Sequence, residues 1–304
     1  MSADKMHDNE VETSVALMAQ LLSAQFPQWA DLPITHVPSA GTDNALYRLG
    51  DELAVRLPRV PWATGQVDKE QQWLPRLAPF LPLAIPTPLA RGEPAAGYPW
   101  RWAIYRWLAG ETTTIERLTD PRQAAMDLAH FIAALQRIDA TGGPPPGPHN
   151  SWRGEPLTER DALVRNAITT LRTLFNEKAM TTVWDAAMTA PAWQHPPVWI
   201  HGDLQAGNLL AQQGRLNAVI DFGCLGVGDP ACDVMVAWLF LTAETRAIFR
   251  TVLQVDDATW ARGRGWALAF GLTALPYYQK TNPVLAGIAR RAIQEVLADD
   301  QARD

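Results

Sequence analysis

Two neighbouring stretches of the chain place polar side chains directly after short apolar runs. The first, V-W-I-H-G-D-L-Q-A-G-N-L-L, spans 198–210, and the second, L-N-A-V-I-D-F-G, spans 216–223. Runs rich in β-branched and aromatic residues favour strands. Two strands this close in sequence predict a hairpin, so the polar groups at their ends, including Asp203 and Asp221, should converge on one spot.

The polar residues in these stretches form a set of oxygen-bearing side chains. Asn208 follows Asp203 by five residues, and Asp221 follows Asn208 by thirteen. Phosphoryl transfer requires a carboxylate that orients a hydroxyl and hard oxygen ligands that hold Mg²⁺ against the phosphates. The pattern H-x-D-x-x-x-x-N followed by D-F-G is the signature of that chemistry in protein kinases. It predicts Asp203 as the catalytic base and Asn208 and Asp221 as Mg²⁺ ligands.

The order of predicted elements is rich in strands at first and then rich in helices. Strands are predicted over 34–40, 45–49, 52–58 and 102–108, with an irregular stretch over 79–100. Helices are predicted over 11–24, from 64 or 65 to before 79, and over 121–138, 158–175, 178–189, 231–243, 258–275 and 284–299. This order predicts an α+β protein in two lobes, residues 1–106 and residues 107–304.

Charge and composition exclude several classes of protein. The net charge is −6, and residues 201–240 carry four Asp against one Arg, so the acidic excess is densest around the predicted site. No Lys/Arg run suggests binding to nucleic acid. No apolar run reaches the ~18–20 residues of a membrane helix, and the N-terminus has no signal-peptide core. We therefore expect a cytoplasmic protein whose two cysteines, Cys224 and Cys232, are reduced, although a disulfide between them remains open.

Glu70 lies on the apolar face of its predicted helix. Val67, Trp73, Leu74 and Leu77 share that face at i, i+3 and i+4 spacing. An unpaired buried carboxylate costs several kcal/mol, so the pattern predicts a cationic partner.

The segments HGDLQAGN (201–208), IDFG (220–223) and GDPACDV (228–234) together resemble the motifs of a known family. The chain resembles the aminoglycoside phosphotransferase and choline kinase-like family, the small-molecule members of the protein-kinase fold. The resemblance covers most of residues 34–243. It implies a two-lobed protein-kinase-like fold, with a small antiparallel-sheet N-lobe and a larger, mainly helical C-lobe. It also implies transfer of the γ-phosphoryl of ATP or GTP to a hydroxyl of a small molecule.

The resemblance further implies a nucleotide site in the first lobe. The loop 41–44 resembles a nucleotide-positioning loop that includes Thr42 and Asn44, where backbone amides and a hydroxyl face the β-phosphate. Trp107 and Leu108 resemble the linker whose backbone pairs with adenine.

The sequence departs from the kinase pattern at two positions. Arg56 stands where the third strand usually presents a Lys, although its planar fork can bridge Glu70 and the phosphates. Gly202 stands where protein kinases carry the Arg that commonly reads an activation-loop phosphate. The second departure favours a small-molecule acceptor over a protein.

Several alternatives remain open at this stage. A catalytically silent pseudokinase is compatible with Arg56, and metal-dependent hydrolysis or a transition-metal site that includes His195 is compatible with the acidic cluster. Other polar residues near the motifs (His201, Asp229 and Asp233) are interpreted as structural. Residues 241–304 carry 7 acidic and 8 basic side chains, and with Trp238, Trp260 and Trp266 nearby they favour a less charged or partly apolar acceptor over a polycation.

Overall fold

The computed structural model describes residues 10–38 and 41–301, so the predicted strand end at 39–40 lies outside the described residues. The strands are β1 (Ile34–Val37), β2 (Asn44–Leu49), β3 (Leu53–Pro58), β4 (Pro88–Gly92), β5 (Trp102–Arg106), β6 (Glu111–Thr112), β7 (Val198–Ile200), β8 (Leu209–Gln212), β9 (Arg215–Val219) and β10 (Gly226–Gly228). The α-helices are α1 (Val15–Gln25), α2 (Gln66–Leu77), α3 (Pro121–Arg137), α4 (Asp161–Leu171), α5 (Glu177–Thr189), α6 (Ala231–Val234), α7 (Val236–Leu239), α8 (Ala243–Leu253), α9 (Asp257–Tyr278) and α10 (Pro283–Gln301).

A five-stranded antiparallel sheet in the order β1-β2-β3-β5-β4 forms the first part of the fold. The predicted meander of β1, β2 and β3 is present. Its second turn contains Gly50 at φ 58°, a left-handed conformation that glycine adopts without steric cost. Apolar residues of α1, such as Met18 and Leu22, pack with Tyr47 and Trp102 of the sheet in a separate core cluster.

The structure corrects the prediction for residues 79–100. This stretch was expected to be irregular, but it contains β4, which pairs with β5 at the edge of the sheet. β4 begins with Pro88, and its register shifts between Pro88 and Ala90. Proline is tolerated at the first residue of an edge strand, and the residues of β4 that turn inward, Pro88, Ala90 and Gly92, are poor strand formers, so the sequence lacks an apolar alternation here.

The remainder of the chain is mainly helical, and α9 is its central element. α9 packs against α4, α5, α6 and α10, and buried residues occur all around it. Together with the small antiparallel sheet, this larger helical part gives the predicted α+β, kinase-like architecture. None of the helices in the described part of the chain combines the length and the apolar character needed to cross a bilayer.

Three helix predictions require correction. The helix expected over 231–243 is divided at Met235 into α6 and α7 and ends at Leu239. α8 was not predicted, although Thr242 and Thr245 form a capping box at its start. The helix expected over 158–175 is shorter, because a 3₁₀ turn at Leu157–Arg160 precedes α4.

The predicted hairpin is wrong for one of its strands. β9 pairs with β8, and β7 pairs instead with β10. A tight turn that includes Gly214 at φ 75° joins β8 to β9, whereas the loop 201–208 separates β7 from both. The hairpin therefore brings Asn208 and Asp221 to the same end, and the loop after β7 delivers Asp203 separately.

Candidate active site

The loop after β7 holds Asp203 beside Asn208. Asn208 Nδ2 donates hydrogen bonds to the backbone oxygen of Asp203 at 2.8 Å and to its Oδ2 at 2.9 Å. The amide NH₂ is thus used on Asp203, and Oδ1 is the end that remains for a cation. Burial raises the pKa of Asp203 to about 6, an effect that Arg153 opposes and Asp221 reinforces. The carboxyl is therefore ionised at neutral pH and close enough to Asp221 to sense its charge.

The backbone of this loop is anchored by Asp233 on α6. The carboxylate accepts hydrogen bonds from the backbone amides of His201 and Gly202, both at 2.7 Å. Gly202 has φ 83°, and a Cβ added there would lie 2.6 Å from the backbone oxygen of Cys224. His201, which was interpreted as structural, is fully buried, and its Nε2 is hydrogen-bonded to the backbone oxygen of Ile220 at 3.0 Å.

Asp221 follows β9 after one intervening residue, Ile220, and has a left-handed backbone, with φ 63°. This conformation is strained for a residue other than glycine, and such strain concentrates at functional sites. Asp221 Oδ1 accepts a hydrogen bond from the amide of Gly223 at 3.4 Å. Its side chain remains 41% exposed, so the carboxylate is open to a ligand.

Arg56 on β3 joins the sheet to this carboxylate. Its Nη1 donates to Glu70 Oε1 at 2.7 Å and to Oε2 at 3.0 Å, and its Nη2 lies 3.3 Å from Asp221 Oδ1. The cationic partner predicted for Glu70 is therefore Arg56. Burial alone would lower the pKa of Arg56, but Glu70 and Asp221 raise it above its ordinary value. The guanidinium is a permanent charge at the junction of sheet and helices.

Glu70 itself is fully buried on α2. Besides Arg56, the hydroxyl of Tyr105 on β5 donates a short hydrogen bond to Glu70 Oε2. Burial and the charge of Glu70 raise the pKa of Tyr105 well above its ordinary value, so the phenol stays protonated as a donor. The carboxylate is thus fixed from two strands of the sheet.

Lys69, the neighbour of Glu70 in sequence, makes contacts near the site that sequence reasoning missed. Its Nζ donates to the backbone oxygen of Gly223 at 2.6 Å and to that of His149 at 3.2 Å. Burial lowers the pKa of Lys69. The helix that carries Glu70 is therefore bonded directly to the turn after Asp221. The only sequence signal for it was a lysine next to an inward-facing glutamate.

The predicted nucleotide loop is held by contacts within the protein. Thr42 Oγ1 donates to Asp43 Oδ1 at 3.0 Å, and Tyr278 at the end of α9 lies nearby. Asn44 Nδ2 donates to Gln66 Oε1 on α2 at 3.1 Å. The loop therefore lies over the cluster, near enough that the charge of Asp43 contributes to the raised pKa of Asp203.

Trp107 and Leu108 follow β5 and lie outside this hydrogen-bonded cluster. The Trp107 amide donates to the backbone oxygen of Glu52 at 2.6 Å, and the guanidinium of Arg48 lies 4.9 Å from the centre of its ring. Because the Trp107 amide already donates to Glu52, the adenine of a nucleotide at this linker would have to hydrogen-bond to other backbone groups.

The donor set of the site fits Mg²⁺. Asn208 and Asp221 offer an amide oxygen and a carboxylate at the same end of the β8–β9 hairpin. In the described residues, no group of three or more His, Cys, Asp or Glu side chains is arranged to hold a metal, so a transition-metal site finds no support there. Mg²⁺ typically binds through one or two carboxylates and completes its shell with water and substrate phosphates.

The fold of this chain is similar to the folds of several solved structures. The GDP and kanamycin complex of APH(2'')-IIia superposes with a TM-score of 0.73 at 20% identity, covering 93% of this chain and 99% of that one. The streptomycin–ATP–APH(2'')-IIa complex gives 0.61 at 18% identity, covering 95% and 97%. Macrolide 2'-phosphotransferase type I gives 0.62 at 19% identity, covering 92% and 97%. A search of curated proteins found no match.

The family itself is established by sequence. The model of the APH family, described as the phosphotransferase enzyme family, matches residues 35–266, which is more than half of the chain. That range begins in β1 and ends within α9, so it includes the sheet, the loop 201–208 and the turn after β9. The chain therefore belongs to the phosphotransferase enzyme family.

Proposed function

We propose that this chain is a cytoplasmic, Mg²⁺-dependent kinase that transfers the γ-phosphoryl of ATP or GTP to a hydroxyl of a small molecule. In this proposal residues 1–106 form the nucleotide-binding lobe and residues 107–304 form the catalytic and acceptor-binding lobe. Family membership supports phosphotransfer, and the cluster around Asp203 supports the assignment of individual residues.

One observation carries the proposal: Arg56 contacts both Glu70 and Asp221. β3, α2 and the turn after β9 thereby place a cation, its supporting carboxylate and an exposed carboxylate at one junction, and the exposed carboxylate is 165 positions from the cation. A permanent cation beside a solvent-open carboxylate suits the phosphates of a nucleotide together with their metal ion. A surface ion pair would not need a fully buried Glu70 behind it.

Each residue then has a role that follows from its surroundings. Asp203, ionised at neutral pH, would accept the hydrogen bond and then the proton of the attacking hydroxyl, while Asn208 fixes its orientation. Arg56 would contact the phosphates, and backbone amides of the loop 41–44 would face them from above. Asn208 and Asp221 would hold Mg²⁺, which when bound neutralises charge developing on the phosphates.

The acceptor is proposed by class. The fold neighbours include complexes with kanamycin and streptomycin and a macrolide phosphotransferase, all of them solved with or named for small hydroxylated antibiotics. Gly202 in place of the arginine of protein kinases also supports a small acceptor. We therefore infer a small hydroxylated molecule, with an antibiotic as one candidate.

A nucleotide-turnover assay tests the proposal against the pseudokinase alternative. ADP release would be measured with Mg²⁺ and ATP or GTP across a panel of hydroxylated compounds, beside thermal shifts with each nucleotide. A kinase should release ADP in response to particular acceptors. Nucleotide-induced stabilisation without turnover on any compound would favour a nucleotide-dependent binding module instead.

A further inference from the structure

The loop before Arg153 has an unusual backbone that delivers this residue to Asp203. Ser151 and Trp152 have φ of 53° and 60°, and Gly154 has φ 84°. Two consecutive non-glycine residues in the left-handed region are strained, and such a conformation persists only where the surroundings fix it. Here the buried side chain of Asn150 fixes it, since its Oδ1 accepts from the amide of Gly147 at 3.0 Å and its Nδ2 donates to the backbone oxygen of Arg153 at 3.2 Å.

The guanidinium of Arg153 has more N–H donors than the surrounding protein offers acceptors. Its Nη2 lies 3.9 Å from Asp203 Oδ1, beyond hydrogen-bond length, and its neighbours include the sulfur atoms of Cys224 and Cys232, which are weak acceptors. In the described residues its Nε is buried without a hydrogen-bond partner. The side chain is 13% exposed, so it is enclosed yet still reachable. A buried polar group left unpaired in this way requires an explanation.

The surroundings of Arg153 are aromatic and cationic. Its guanidinium lies 5.8 Å from the ring centres of both Trp266 and Phe270 on α9. Arg160 lies 4.6 Å from the Trp266 ring but has its own partners, Glu155 at 3.3 Å and the backbone oxygen of Ser151 at 2.6 Å. Both arginines have a buried Nε without a hydrogen-bond partner, but Arg160 donates to a protein oxygen through Nη2, whereas no protein oxygen of the described residues lies within hydrogen-bond distance of the Arg153 guanidinium.

We propose that Arg153 selects the acceptor: it binds an oxyanion substituent, such as a carboxylate, on the molecule whose hydroxyl lies at Asp203. This inference rests on the proposed function and narrows its acceptor class. The planar fork of Arg matches a carboxylate with two parallel hydrogen bonds. The same cation disfavours an ammonium group at that position.

Binding tests the inference without requiring turnover. Two matched sets of probes would be titrated in the presence of ADP: D-glucuronate, D-glucose and 6-amino-6-deoxy-D-glucose, and the carboxylate, hydroxymethyl and aminomethyl derivatives of benzyl alcohol. In at least one set the carboxylate should bind most tightly. Arg153→Gln should weaken carboxylate binding about 10- to 100-fold, the range for a lost charge-assisted hydrogen bond, and should leave the neutral member within about threefold.

Two further variants make the result interpretable. Arg165→Gln removes an exposed arginine on α4 and should leave probe binding unchanged. Arg153→Lys keeps the charge without the fork, so it should still reject the amine while binding the carboxylate more weakly, even if Arg153→Gln fails to fold. ADP affinity and melting temperature report folding for every variant.

The outcomes separate this inference from the proposed function. Equal or tighter binding of the amine probes, or carboxylate binding that Arg153→Gln leaves unchanged, overturns the acceptor role, and so does the absence of binding by all six probes. A loss of binding that is equal for all three members of a set also overturns it, because Arg153 would then only shape the loop. Carboxylate binding that depends on Arg153, without phosphorylation of any acceptor, would contradict the kinase and leave this site standing.

Discussion

Breaking the Arg56–Glu70 pair tests the junction on which the proposed site depends. Glu70→Gln removes the charge of a fully buried group and replaces one of the two oxygens that accept from Arg56 by an NH₂ group, which cannot accept. Removal of one partner of a buried pair costs about 3–5 kcal/mol, and because Asp221 still neutralises Arg56 we expect about 3 kcal/mol. Arg56→Met leaves Glu70 with only the hydroxyl of Tyr105 among the contacts described above, and should cost about 3–4 kcal/mol.

The double variant gives the coupling free energy between Arg56 and Glu70, which decides whether they act as a pair. Once Arg56 is replaced by Met, a neutral Gln at position 70 leaves no unpaired charge, so the double variant should cost about 3–4 kcal/mol rather than the sum of about 6–7. The coupling energy should therefore be about 3 kcal/mol, measured by urea unfolding of the four proteins. As a control, the exposed pair Arg122–Glu244, with the Nε–Oε1 distance at 2.9 Å, should couple by less than about 1 kcal/mol. Coupling of Arg56 and Glu70 as weak as that of the control pair would refute the reasoning.

Three further predictions follow from the site. Lys69→Met removes the hydrogen bond from α2 to the backbone oxygen of Gly223 and should lower kcat about tenfold. Lys178→Met, an exposed control, should leave kcat unchanged. Equal kcat values for the two variants would contradict a role of this hydrogen bond in positioning the site. Gly202→Ala places a Cβ against the backbone oxygen of Cys224 in a left-handed conformation, so the urea midpoint should fall by at least the equivalent of about 1–2 kcal/mol, and an unchanged midpoint would argue against this backbone. Chelation of divalent ions should abolish turnover, and added Mg²⁺ should restore it; turnover that persists in the chelator would count against the metal ligands.

The parts of the site that the sequence predicted lie close together along the chain. Asp203, Asn208 and Asp221 occupy one short region, where spacing and the preceding strands are direct signals. The inward position of Glu70 was equally readable, because helical periodicity alone fixes which residues share a face. The strand pairing was not readable, since β7 pairs with β10 across the whole β8–β9 hairpin.

The residues that sequence reasoning missed have partners that are distant in sequence. Lys69 and Gly223 are 154 positions apart, and no local pattern links them. Arg153 reaches Asp203 only because the left-handed residues before it turn the chain, and neither Ser nor Trp signals that conformation. Such contacts depend on tertiary packing, so they become visible only in the folded chain.

The most direct test of the central claim is detection of the phosphorylated product itself. Acceptors identified by ADP release would be incubated with ATP and either the wild-type protein, Asp203→Ala or Asp51→Ala, which replaces a fully exposed carboxylate. Mass spectrometry should show one added phosphate with the wild type and with Asp51→Ala. With Asp203→Ala the rate should be lower by about 10²- to 10⁴-fold, although ATP binding is retained. Product formation by Asp203→Ala at more than a few per cent of the wild-type rate would contradict Asp203 as the base.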